Sequence, residues 1–122
     1  KSRKENFDYW MTNLSSLHKY LILPKVHKKS NISWFSFPIT LQNGVSRKDL
    51  LRFLEGKNIE TRVIFAGNIV NQPAYIHSEF KISGSLVNSD RILNQSFFIS
   101  VHPSLTVDMK KYVVSTFKEY FK

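Results

Sequence analysis

The sequence predicts one α+β domain, in which a small antiparallel or mixed sheet packs against helices on one face. Three segments carry apolar residues at helical spacing, and three others alternate apolar and polar residues with the period of a strand. Their order is helix, strand, helix, strand, long loop, strand, helix, which favours helices gathered on one side of a sheet. With 122 residues, the chain has room for one core and not for a second domain.

The first helix is predicted over residues 5–21, before Pro24 ends it. One face of this segment is apolar and consists of Phe7, Trp10, Leu14, Leu17 and Leu21. The polar, basic residues 25–32 that follow are predicted to form a loop.

A strand and a second helix come next. The strand alternates apolar residues with others, and its apolar positions are Phe35, Phe37, Ile39 and Leu41. Pro38 has no N–H for the sheet and indicates an edge strand. After a turn at Asn43-Gly44, Ser46 and Asp49 have the spacing of a capping box. The helix that begins there is expected to end at Gly56.

The second strand is predicted over residues 60–65. Alternation places Phe65 on one face and Arg62 on the other. The breakers after Phe65 open a long surface excursion over residues 66–88, and such excursions in compact domains are usually functional.

The end of the chain predicts a short helix over residues 90–94, a third strand over residues 97–101 and a closing amphipathic helix from Thr106. Pro103 separates the strand from this helix. The expected apolar face of the helix consists of Met109, Tyr112, Val113, Phe117, Tyr120 and Phe121.

Composition limits the function classes. The net charge is +9, so an anionic partner is considered, although the excess of Lys and Arg is also typical of a solvated basic face. There is no cysteine, which fits a reducing compartment and excludes disulfides within the chain. The four histidines lack metal-ligand spacing, and no hydrolase, phosphate-loop or dinucleotide motif occurs. We expect a cytoplasmic protein without a metal site.

Five residues are candidates for substrate binding: Arg62, Phe65, Asn68, Gln72 and Asn94. Arg62, on a strand, offers a planar charged fork for phosphate or carboxylate, although a surface ion pair is the alternative. The amides of Asn68 and Gln72 can both donate to and accept from the hydroxyl groups of a ligand. Arg62 and Asn68 are expected to matter little to folding. Four aromatic residues are predicted to belong to the core: Trp34, Phe35, Phe97 and Phe98.

Three segments, Ser33–Thr40, Glu60–Tyr75 and Ser89–Ser100, resemble the C-terminal part of the DegT/DnrJ/EryC1/StrS family of vitamin-B6-dependent sugar aminotransferases and dehydratases. The nucleotide-sugar 3-dehydratase branch is the most similar. The resemblance implies that residues 1–122 are the C-terminal small domain of a fold-type-I enzyme whose cofactor-binding large domain is not in the chain. It also gives Phe65, Gln72 and Asn94 their place among the candidate residues.

The resemblance implies further expectations for the parent enzyme. Its substrate would be a CDP- or GDP-4-keto-6-deoxyhexose of lipopolysaccharide O-antigen biosynthesis, and its cofactor pyridoxamine or pyridoxal phosphate. The cofactor site, and an iron–sulfur cluster found in some 3-dehydratases, would lie upstream. The chain alone is expected to have no catalytic or cofactor-binding residue and no turnover. Its partners would be its own large domain and, in a homodimer, a second copy.

Three alternatives stay open from the sequence. A sugar aminotransferase would carry an upstream lysine where the dehydratase branch has a histidine. A small basic domain could bind nucleic acid through its aromatic side chains, but the aromatic strands lack interleaved Lys or Arg. A purely structural interaction domain is the third.

Overall fold

The computed structural model covers all 122 residues and contains four helices and four strands. The sheet has the order β1-β2-β4-β3, and all neighbouring strands are antiparallel. The predicted α+β class is therefore confirmed. The helices are α1 (Ser2–Leu14), α2 (Arg47–Gly56), α3 (Val87–Gln95) and α4 (Val107–Tyr120), and the strands are β1 (Leu21–Ile22), β2 (Ser36–Leu41), β3 (Arg62–Val63) and β4 (Ser96–Ser100).

One face of the sheet is buried under α1, α2 and α4. Every second residue of β2 and β4 points to this side and joins apolar side chains of the three helices. The core formed in this way includes Phe7, Trp10, Leu14, Phe37, Ile39, Leu41, Leu50, Leu54, Phe97, Ile99, Val114 and Phe117. The fourth helix, α3, lies toward the opposite face, where Ile92 borders the same cavity as Pro38 and Thr40.

The predicted first helix is wrong at its end. It stops at Leu14, a 3-10 helix follows at Ser15–Leu17, and Leu21 pairs with Leu41 as the start of β1. Leu17 and Leu21 are both buried, so the apolar residues keep the spacing of a helix beyond Leu14 although the helix itself ends there. A two-residue strand is too short to show a period of two, which is why β1 was not predicted.

Two predictions for β2 need correction. Phe35 precedes the strand and is 68% exposed, so it is not a core residue. β2 lies between β1 and β4 rather than at an edge. However, β1 pairs only with Thr40 and Leu41, so no strand lies beside Pro38 on that side and its missing N–H is tolerated. Trp34 is half-buried and stacks on Phe7, with ring centroids 4.0 Å apart.

The helix caps follow the sequence closely. Ser46 Oγ accepts from the backbone N–H of Asp49 at 3.3 Å, and Thr106 Oγ1 accepts from that of Met109 at 3.1 Å. α3 is longer than the predicted residues 90–94, and β3 is shorter than residues 60–65. On α4, Met109 and Tyr112 are about half exposed and border a groove rather than the core.

Candidate functional site

The face of the sheet opposite α1, α2 and α4 carries a cleft with an aromatic part and a polar part. An open cavity of about 390 Å³ forms the aromatic part, and one of about 250 Å³ forms the polar part. Phe35, Arg62 and Phe98 border both, so we treat them as one outer-face cleft. Val63 and Phe65 complete the aromatic part, and Arg3, Ser36, Glu60, Ser100 and His102 complete the polar part.

Arg62 lies at the centre of the outer-face cleft. It is the register partner of Phe98, and paired residues of antiparallel strands point to the same face. Its Nε and Nη2 both donate to Oε1 of Glu60, at 2.9 and 2.7 Å. The side chains of Arg62 and Glu60 are 69% and 74% exposed, and Nη1 of Arg62 makes no hydrogen bond. The guanidinium thus forms a surface ion pair and keeps donors free for an anion.

Phe65 lines the same cleft and has a left-handed backbone conformation. Its φ is 38°, a left-handed value, so the chain leaves the strand pattern directly after β3. The prediction that Phe65 and Arg62 lie on opposite faces is wrong for this reason. Phe98 was expected in the core but is half-buried here, with ring centroids 5.8 Å from Phe35 and 6.4 Å from Phe65. Phe97 is a core residue, as predicted.

Asn68 is buried and directed into the protein. Its Nδ2 donates to Oδ1 of Asp90 at 2.7 Å, and its Oδ1 accepts from the backbone N–H of Val70 at 3.2 Å. Only 4% of the residue is exposed. Both the nitrogen and the oxygen of the amide therefore have hydrogen-bond partners within the protein. For this reason we no longer expect Asn68 to matter little to folding and predict instead that it stabilises the domain.

Gln72 and Asn94 lie outside the outer-face cleft. Nε2 of Gln72 donates to the carbonyl of Ala66 at 2.7 Å and closes the turn after Phe65. Asn94 is exposed on α3 and borders a different cavity, beside Arg47 at the start of α2. Of the five candidates, the structure brings together only Arg62 and Phe65.

Arg47 is a further cation that sequence reasoning missed. Its Nη1 donates to the carbonyls of Leu93 and Ser96, at 2.6 and 3.0 Å, and so binds the C-terminal end of α3. Burial lowers the pKa of the Arg47 guanidinium from its ordinary value. These contacts give Arg47 a role in fixing α3 rather than in the cleft.

Arg3 and His102 are two of the cleft residues that were not predicted from the sequence. Both line the polar part because Asn6 holds α1 against the end of β4, where its Nδ2 donates to the carbonyls of Val101 and His102 at 3.3 and 2.8 Å. Nδ1 of His102 lies 2.7 Å from Oγ of Ser104. The position of His102 just after a strand was a usable signal, whereas nothing in the sequence linked Arg3 to it.

The cleft does not fit the aldehyde form of a vitamin-B6 cofactor. A covalent Schiff base to this cofactor requires a lysine, and no lysine lines either part of the cleft. We therefore derive no cofactor step from this chain. No three His, Cys, Asp or Glu residues are grouped so that they could hold a metal ion. None of the helices is long and apolar enough to cross a membrane.

Sequence comparisons identify relatives along nearly the whole chain. The profile of the DegT/DnrJ/EryC1/StrS aminotransferase family matches residues 1–118. The lipopolysaccharide biosynthesis protein RfbH of Salmonella typhimurium is 45% identical over 99% of the chain. The dTDP-4-dehydro-2,6-dideoxy-D-glucose 3-dehydratase of Saccharopolyspora spinosa is 37% identical over 98%. The chain spans only 28% and 26% of the lengths of these two relatives.

Two solved structures of longer proteins contain a domain with the same fold. A GDP-4-keto-6-deoxy-D-mannose-3-dehydratase of E. coli with bound hydrated PLP superposes with a TM-score of 0.81 over 94% of the chain, at 24% identity. DesV of S. venezuelae, in complex with a ketimine intermediate, gives a TM-score of 0.82 over 98% at 19% identity. The chain corresponds to 30% and 31% of these two proteins.

Proposed function

Because the chain belongs to the DegT/DnrJ/EryC1/StrS aminotransferase family, we propose that residues 1–122 are the C-terminal small domain of a nucleotide-sugar 3-dehydratase. In this proposal the outer-face cleft is one wall of the nucleotide-sugar site, and the cofactor is bound by a large domain outside the chain. The substrate is a nucleotide-linked 4-keto-6-deoxyhexose used for lipopolysaccharide. The identity of 37% to the Saccharopolyspora 3-dehydratase, compared with 27% to a transaminase of Shigella dysenteriae, supports this branch. The identity of 45% to RfbH supports the link with lipopolysaccharide.

The observation that carries the proposal is the joint exposure of Arg62 and an aromatic cluster on the face without α1, α2 and α4. Phe35 and Phe65 are 68% and 78% exposed, which is costly for phenyl rings in water and typical of a binding surface. Flat rings stack on a nucleobase or cover the apolar face of a sugar. The free Nη1 of Arg62 can donate to a diphosphate beside them.

Arg3 and His102 extend the cleft for an anion. Two guanidinium groups and one carboxylate, that of Glu60, give its polar part a net charge of +1 with His102 neutral. Such a charge attracts a diphosphate and orients it without burying an unpaired ion. The domain therefore binds and orients the nucleotide sugar, and excludes water from one side of it, while the large domain carries out the chemistry.

A sugar aminotransferase is the second candidate. A dTDP-4-amino-4,6-dideoxy-D-glucose transaminase of Shigella dysenteriae is 27% identical over 81% of the chain, which supports this alternative. The two candidates differ in the upstream residue that faces the cofactor, a histidine in the dehydratase branch and a lysine in the aminotransferases. Reading that residue in the gene discriminates them.

The experiment that tests the proposal is a domain exchange. In the Saccharopolyspora 3-dehydratase, the segment that matches this chain is replaced by residues 1–122, and turnover of the nucleotide sugar in that enzyme's name is measured. We expect the chimera to turn over, because the matched segment is 37% identical and aligns over 98% of the chain.

The control is the same host enzyme with its segment deleted, which should be inactive. A chimera no more active than this deletion contradicts the proposal, whether it is folded or not. The upstream iron–sulfur cluster, the homodimer and the cytoplasmic location remain predictions, which cluster analysis, light scattering and cell fractionation of the parent enzyme test.

A further inference from the structure

The turn that follows β3 is held against α3 by hydrogen bonds to one carboxylate. Asp90, in the first turn of α3, accepts through Oδ1 from Nδ2 of Asn68 and from Nδ2 of Asn71, each at 2.7 Å. Hydrogen bonds to a charged acceptor are among the stronger ones in proteins. The backbone also approaches closely, since a Cβ on Gly67 would lie 2.5 Å from Cα of Leu93. Two independent contacts therefore hold the turn against α3.

The same turn carries Phe65 into the outer-face cleft. A left-handed φ costs free energy for a residue with a Cβ and persists only where the surroundings hold it. The ring of Phe65 is largely exposed, so its own packing does not supply that restraint. The hydrogen bonds that do so belong to the turn: Gly67 N–H donates to the Ile64 carbonyl at 3.1 Å, and Gln72 Nε2 to the Ala66 carbonyl.

We propose that Asp90 is a positioning residue for substrate binding. It holds residues 66–72 on α3 and thereby keeps Phe65 in the cleft beside Arg62. This inference rests on the proposed function of the cleft, and Asp90 itself does not line the cleft. In the proposed function the cleft binds and orients the nucleotide sugar and takes no part in the chemistry, so the hydrogen bonds of Asp90 should affect substrate affinity more than the chemical step.

The hydrogen bonds between Asp90 and the turn are tested on the 122-residue chain by hydrogen exchange with mass spectrometry. In Asp90→Ala we expect the amides of residues 66–72 to exchange about ten-fold faster or more, because the turn loses both of its hydrogen bonds to Asp90. In Asp90→Asn the carbonyl oxygen of the new side chain still accepts, and most of the protection stays. Asp108→Ala is the matched control, since Asp108 lies in the first turn of α4 and makes no side-chain hydrogen bond.

The role in binding is tested in the active chimera described above. Asp90→Ala should raise KM for the nucleotide sugar about ten-fold while kcat changes by less than about two-fold, and Asp90→Asn should restore most of the affinity. Loss of folded enzyme would instead lower kcat and leave KM unchanged.

The outcomes separate the claims. Unchanged amide exchange of residues 66–72 in Asp90→Ala refutes the claim that Asp90 holds the turn on α3. Faster exchange with unchanged KM refutes the positioning role. If the chimera without substitutions is inactive, the proposed function is contradicted. The hydrogen-exchange result still decides whether Asp90 holds the turn on α3.

Discussion

Replacing Asn68 by Ala should destabilise the domain strongly, although Asn68 lies in a loop. The substitution removes a charge-assisted hydrogen bond to Asp90 and leaves the N–H of Val70 without its cap. Because Asn68 is 4% exposed, water does not replace these partners. We expect a loss of about 2–3 kcal/mol in the free energy of unfolding. At about 4 °C per kcal/mol for a chain of this size, the melting temperature falls by about 8–12 °C.

The assay is thermal and urea unfolding of the 122-residue chain, followed by circular dichroism. Asn94→Ala is the control, because Asn94 is exposed and makes no side-chain hydrogen bond, and it should change stability by less than about 0.5 kcal/mol. A double-mutant cycle with Asp90→Ala should give a coupling of at least about 1 kcal/mol. A melting temperature within about 2–3 °C of the parent, which is roughly the effect of substituting an exposed residue, would show that the amide of Asn68 contributes little to stability. The absence of coupling would show that Asn68 does not act through Asp90.

Three other substitutions test separate parts of the structure. Arg62→Gln should change stability by no more than about 1 kcal/mol, because the ion pair of Arg62 with Glu60 is exposed, but it should raise KM of the chimera about ten-fold. The control is Arg52→Gln, at an exposed position on α2. Equal KM values for the two variants would contradict this prediction. Gly67→Ala should cost more than Gly84→Ala in urea unfolding, because both glycines have a positive φ but only Gly67 approaches a backbone; equal losses would contradict the close contact with α3. Burial, assisted by the charge of Asp49, raises the pKa of Tyr120, so the folded chain keeps a proton that the unfolded chain loses. Stability should therefore fall as pH rises above about 10, and Tyr120→Phe should weaken this fall in unfolding measurements from pH 8 to 11; an identical pH profile would speak against it.

Local sequence signals predicted the elements whose causes are local. Ser46 and Thr106 mark the beginnings of α2 and α4, because a side-chain oxygen at the cap satisfies an N–H three residues later. The alternation from Phe37 to Leu41 predicted the buried face of β2, since one side of the sheet excludes water. In these elements the hydrophobic pattern and the capping chemistry indicate the same boundaries.

The candidate site was predicted less completely, because its geometry depends on contacts between distant residues. Arg62 follows from strand alternation, but the left-handed φ of Phe65 has no signal in a phenylalanine. The hydrogen bond from Asn68 to Asp90 joins the two ends of the long loop, so the sequence alone could not show that the amide of Asn68 is already used. Arg3 enters the cleft only because α1 packs against the end of β4.

A crystal structure of the chimera with its nucleotide sugar bound tests most directly whether the outer-face cleft is a wall of the substrate site. We predict a phosphate or sugar oxygen within hydrogen-bond distance of the Arg62 guanidinium, and the nucleobase or sugar packed on Phe35, Phe65 or Phe98. A nucleotide sugar bound away from these residues, with the cleft filled by side chains of the large domain, would contradict it.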